Sequence, residues 1–116
     1  MNKKEIVNKI LEGFCERNPD KVLPYVSDDI SWDINNHHVA VNKEECAKQV
    51  VDPDSAGKPV IKINNMIEEN DLVAVQGECE CEMKEVGLIQ VNFFDLYRFE
   101  NGKVKEMRAY VIEKKK

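Results

Sequence analysis

The sequence predicts a single α+β domain, with three N-terminal helices packed in the concave face of a curved antiparallel sheet that leaves a cone-shaped interior. Three observations predict it. Apolar residues recur at helical spacing over residues 3–17. From residue 60 onward the apolar period changes to two. Near the C-terminus, Asn101-Gly102 marks a tight hairpin between two such runs.

Each element follows in order. Ile6, Val7, Ile10, Leu11, Phe14 and Cys15 make one apolar stripe along the first helix, and Gly13 inside it allows a close neighbour. Asn18 and Pro19 start a second, shorter helix, which Pro24 shortens or kinks. Residues 29–34 predict a short strand, followed by a polar turn at Asn35-Asn36 and the two histidines. Asn42, with Glu45 three residues on, opens a third helix. That helix should bury Cys46, Ala47, Val50 and Val51. Asp52 to Pro59 has the composition of a loop. Strands then follow over residues 60–67, 72–83, 88–100 and 103–113. In the second of these, Val73, Val75, Gly77, Cys79, Cys81 and Met83 share one face, with glutamates on the other. No repeat or linker divides residues 1–116, so they read as one domain.

Composition excludes several classes. At 42% hydrophobic residues the chain is a globular protein rather than a disordered one. A formal net charge of −5 argues against nucleic acid as a partner, since phosphate binding needs a basic surface. The only run of like charge, Lys114 to Lys116, reads as a frayed, solvated end. No apolar stretch approaches a membrane span, and the N-terminus leads into an amphipathic segment rather than a signal peptide. A cytoplasmic setting is expected, in which Cys15, Cys46, Cys79 and Cys81 stay reduced. The cysteines and the histidines lack the spacing of a metal site, so neither metal nor organic cofactor is expected.

The residue that calls for an explanation is Asp95. Ile89, Val91, Phe93, Asp95, Tyr97 and Phe99 form the inward set of the long strand, and Asp95 is the one carboxylate among them. A buried carboxylate must find a cation, find donors, or keep its proton. Alternation turns Arg98 away from Asp95, and Arg108 shares a face with Glu106 and Tyr110. Two readings stay open: an acid that donates a hydrogen bond to a ligand in a pocket, and a structural acid paired within the core. Asp33 is a second candidate acid, with His37 and His38 in the polar turn as weaker ones. Trp32 and Tyr25 are candidate ligand contacts at the junction of helices and sheet.

The chain resembles a known superfamily in its last strands. The segment Phe94-Asp95-Leu96-Tyr97-Arg98-Phe99, then Asn101-Gly102-Lys103-Val104 and Met107-Arg108-Ala109, is similar to the final hairpin of ketosteroid isomerases. Leu23-Pro24-Tyr25-Val26-Ser27-Asp28-Asp29 is similar to the end of a helix in the same group. The superfamily includes SnoaL-like polyketide cyclases and nuclear transport factor, with a cystatin-like, cone-shaped fold. The resemblance places Asp95 on the isomerase acid that stays protonated and holds the developing oxyanion. It places Ile34 on the general base, one residue after Asp33, and Ile10 on the tyrosine of the oxyanion hole, so one acid of three is retained.

The resemblance implies a SnoaL-like domain that binds a small apolar or aromatic molecule in the cone, without establishing catalysis. The alternative is an isomerase or cyclase that moves a proton next to a carbonyl, with Asp95 as acid and Asp33 as its partner. Expected ligand contacts are Ile10, Phe14, Tyr25, Trp32, His37, Cys79, Phe93, Tyr97, Met107 and Ala109. Under either reading a homodimer is expected through the convex sheet face, where Leu88, Phe94, Leu96, Tyr110 and Ile112 need cover.

Overall fold

The computed structural model describes residues 1–51 and 56–114. Helix α1 spans Lys3–Glu16. It begins at a capping box: the Glu5 backbone N–H donates to Asn2 Oδ1 at 2.9 Å, and Glu5 Oε1 accepts from the Asn2 N–H at 3.3 Å. It ends where Arg17 turns left-handed, at φ 52°, and the Asn18 N–H reaches back to the Gly13 carbonyl at 2.9 Å. Gly13 has a packing reason, because a β-carbon there would lie 2.6 Å from Val22 Cγ2.

The second helix expected from Asn18 does not form as such. Two single 3₁₀ turns, Pro19–Lys21 and Leu23–Tyr25, replace it. Asn18 does cap the first, accepting from the Asp20 N–H at 3.1 Å. Pro24 supplies no N–H and its ring opposes helical continuation, so the segment tightens instead of extending.

Strand β1 runs over Val26–Ile34, three residues longer at its start than the pattern suggested. Asn35 and Asn36 both adopt positive φ, 50° and 69°, as a two-residue hairpin turn requires. His37 and His38 therefore belong to a strand, β2, His37–Ala40, and not to the turn. Helix α2, Lys43–Val51, follows. Asn42 Oδ1 accepts from the Glu45 N–H at 2.8 Å, and Glu45 Oε1 accepts from the Val41 N–H at 2.9 Å. Cys46 and Val50 are buried and Ala47 partly so, but Val51 is 49% exposed, contrary to its expected inward face. Of the loop read over residues 52–59, residues 52–55 lie outside the described residues.

Four strands complete the chain: β3, Val60–Glu69; β4, Leu72–Met83; β5, Gly87–Glu100; and β6, Lys103–Glu113. Together with the first hairpin they form a curved, unclosed six-stranded sheet in the order β2-β1-β6-β5-β4-β3. The sheet is antiparallel except where β1 runs parallel to β6, with Trp32 beside Met107 and Ile34 beside Ala109. Asn35 extends that seam, exchanging side-chain hydrogen bonds with the Val111 N–H and C=O at 2.8 and 3.2 Å. The Asn101-Gly102 turn has the expected positive φ values, 53° and 80°. Lys114 is not frayed: its ammonium bonds Glu78 and its N–H donates to the Gln90 carbonyl. Lys115 and Lys116 lie outside the described residues.

Helix α1 packs on β3 and β4, and its stripe meets the sheet's inner side chains. Val7, Ile10, Val73, Val75, Tyr97 and Val104 sit fully or almost fully buried at that junction. Gly77 lets the sheet close there. A β-carbon on it would sit 2.2 Å from the Lys62 carbonyl oxygen and 2.9 Å from the Phe93 ring.

Candidate functional site

Strand alternation builds the site. Phe93, Asp95 and Tyr97 leave the inner face of β5. β6 places Val111, Ala109 and Met107 directly opposite them, and β4 places Gly77, Val75 and Val73 on the other side. Further along, Cys79 and Cys81 on β4 face Val91 and Ile89. Leu11 and Phe14 of α1, with Trp32 of β1 and Ile61 of β3, close the remaining walls. The Phe14 and Trp32 rings stack with centroids 5.2 Å apart and planes 10° apart. The space between them is a partly open cavity of about 190 Å³ with an almost wholly apolar lining.

Asp95 opens onto this cavity, while protein encloses the rest of its carboxyl. Burial pushes the carboxyl up to about 7, and the hydrogen bond from the Tyr97 hydroxyl, 3.1 Å to Oδ2, pulls the other way. Burial, with the charge of Asp95, holds the Tyr97 phenol well above its usual range, so it remains a donor. Among the described residues no ion pair involves Asp95. Arg108 contributes to the lining, yet its guanidinium bonds Glu106 at 2.9 Å on the outer face. Arg17 donates instead to the carbonyls of Gly57 and Val51, at 2.9 and 3.3 Å.

The structure brings together most of the expected residues: Asp95, Phe14, Trp32, Cys79, Phe93, Tyr97, Met107 and Ala109 all line the cavity. Four do not. Ile10 is fully buried between helix and sheet. Tyr25 lines a separate depression with Lys9, Glu12 and Pro24. His37 is exposed, opposite Ile34 on the edge strand. Asp33 lies outside the lining and holds His38, with Oδ1 2.5 Å from Nδ1. The irregularity near Asp33 falls on β2, because Trp32 pairs with Ala40 and Asp33 with His38, leaving Val39 unopposed. The β1–β6 ladder is regular there, so Asp33 keeps the outward parity opposite Arg108. Leu11, Cys81, Val91 and Val111 also line the cavity, on faces that the helical stripe and the strand alternation turn inward, and Ile61 joins them from β3, whose sequence pattern assigns it no face.

The comparisons with known proteins bear on this geometry. The family model for the SnoaL-like domain matches residues 7–107, and the chain belongs to that family. No curated protein sequence matches the chain. Among solved structures, it is similar to an uncharacterised cystatin-fold protein of Novosphingobium aromaticivorans, with TM-score 0.84 and 13% identity over 94% of this chain and 97% of that one. An NTF2-like protein of unknown function from Cytophaga hutchinsonii matches at TM-score 0.72 and 24% identity, over 96% and 100%. A Catenulispora acidiphila protein with a ketosteroid isomerase-like fold, solved in complex with trimethylamine, matches at TM-score 0.81 and 14% identity, over 94% and 86%. At these identities the likeness is one of fold.

Proposed function

We propose that the chain binds a small apolar or aromatic molecule in the cone, with Asp95 as the polar anchor. The observation that carries this reading is a carboxyl pushed up to about 7 on the wall of an apolar cavity, with a phenol as its hydrogen-bond partner. A cavity of about 190 Å³ suits one ring with a short substituent, since roughly 150 Å³ holds benzene. A protonated Asp95 donates to a carbonyl oxygen on that ligand, and the aromatic walls cover its apolar part. The ionised form cannot donate, so affinity for a carbonyl ligand falls as pH rises through about 7.

The second reading is proton transfer next to a carbonyl. A carboxyl held at about 7 can both give and take a proton near neutrality, which favours it. Against it, among the described residues no second carboxyl or imidazole lines the cavity with Asp95: Ile10 and Ile34 carry no such group, and Asp33 is engaged with His38.

Calorimetric titration with acetophenone and ethylbenzene, for wild type and Asp95→Asn, tests the binding reading. Acetophenone should bind the wild type more tightly at pH 6 than at pH 8.5. Asp95→Asn, which keeps a donor at every pH, should bind it equally at both. Equal affinity for the two compounds in the wild type at pH 6 would remove Asp95 as the anchor.

We also propose a homodimer through the convex face of the sheet. Ile112, Leu88, Phe94 and Tyr110 are 71%, 61%, 47% and 40% exposed there, a concentration of apolar surface that a second copy would cover.

A further inference from the structure

We infer that Cys79 and Cys81 form a dithiol site that condenses with a trivalent aryl arsenical, the aryl ring lying in the apolar cavity. The two cysteines stand two residues apart on β4, so both leave the inner face, and their sulfurs are 3.4 Å apart. Both line the cavity beside Val91, Phe93 and Ile61. Cys15 of α1 lies close enough for its thiol to feel the charge of Cys81.

The geometry selects a bridged dithiol over a disulfide. Residues two apart on a strand lie about 6.5 Å apart with near-parallel Cα–Cβ bonds. A disulfide needs β-carbons about 3.8 Å apart. β4 is held on both sides here, with Cys79 opposite Ile61 on β3 and Val91 on β5, so closing that gap would buckle a paired strand. One atom bridging the sulfurs spans the gap and leaves the ladder intact.

The same geometry narrows the bridging atom. Among the described residues no group of three His, Cys, Asp or Glu side chains is placed to hold a metal ion. A centre that demands three or four protein ligands is therefore not supplied. An aryl arsenic(III) centre needs two thiols only, because its third bond carries the ring. In the condensation, two As–O bonds of the hydrated arsenical ArAs(OH)₂ break and two As–S bonds form. Each thiol proton leaves with a hydroxyl, giving two waters, and arsenic stays trivalent. The hydrogen bond between the thiols and burial hold Cys79 neutral at rest. The condensation starts from neutral thiols and ends in a neutral adduct, so it leaves no net charge in the apolar cavity. The ring gains apolar burial in the cavity that a methyl group cannot match.

Phenylarsine oxide added to the full-length reduced protein tests the site by intact mass. One equivalent should add, with a mass gain equal to the hydrated reagent less two waters. Digestion at lysine and arginine should place the adduct on the peptide Ile63–Lys84, whose only cysteines are Cys79 and Cys81. Cys79→Ser and Cys81→Ser should each weaken retention against a competing small dithiol at least tenfold, and Cys46→Ala should not. A methyl arsenical should be held at least tenfold more weakly than the phenyl one. An adduct mapped to another peptide, no adduct on the folded wild type, or equal retention of methyl and phenyl reagents would overturn the proposal. The peptide map is read on wild type, so it stands even if a variant fails to fold. Both rings use the same cavity, but sulfur and not Asp95 bonds the arsenic, so the peptide map separates a failure of the dithiol site from a failure of Asp95 as the anchor.

Discussion

Replacing Asp95 by Asn should make the protein more stable at pH 8 and leave it almost unchanged at pH 4. In the fold the carboxyl titrates at about 7, against an ordinary value of 3.8. Between those values the unfolded chain has released the proton while the native state keeps it, so stability falls as pH rises. The sign is that of a raised acid: its full contribution is present below 3.8 and is gone above about 7. At roughly 1.4 kcal/mol per pH unit, the loss across that window is about 4 kcal/mol. Asn resembles the neutral carboxyl in shape, can accept from the Tyr97 hydroxyl, and does not titrate. The difference between the two proteins isolates Asp95, because other groups cancel to first order. Urea denaturation of both at intervals from pH 4 to 8.5 measures it. The Asn variant should gain on wild type steadily up to about pH 7 and then level off. A difference that stays flat with pH, or that turns against the variant above pH 7, would refute the reasoning.

Three further outcomes are expected. Tyr97→Phe removes the donor that lowers the Asp95 carboxyl, so its midpoint should move upward, and urea denaturation at pH 8.5 should show a loss of about 2 kcal/mol, as for a hydrogen bond to a charged group. Gly77→Ala forces a β-carbon against the Lys62 carbonyl and the Phe93 ring, and should cost about 2 kcal/mol in a chemical denaturation curve. Light scattering should give the mass of two chains for wild type, and Phe94→Asp, placing a charge on the convex face, should give the mass of one; a monomeric wild type at high concentration would sink the dimer.

What the sequence discloses is what strand and helix parity control. The stripe through Leu11 and Phe14 and the alternation through Phe93, Asp95 and Tyr97 are local patterns, and the cavity inherits them directly. Parity also placed Asp33 outward, between Trp32 and Ile34 that both turn in. The parts that were hidden depend on tertiary placement. β2 is an edge strand of exposed histidines with no buried alternation to reveal it. Tyr25 and His37 have no pattern that says which wall they join. Ile10 lies on the same stripe as Leu11 and Phe14, but sits where helix and sheet meet with no space between them. Lys114 reads as part of a charged tail until β4 brings Glu78 alongside.

The most direct measurement is the titration of the Asp95 carboxyl carbon by NMR, assigned by comparison with Asp95→Asn. A midpoint near 7 is expected, moving upward when acetophenone binds and favours the protonated form. A midpoint near the ordinary 3.8, unmoved by the ligand, would contradict Asp95 as a neutral donor in a binding cavity.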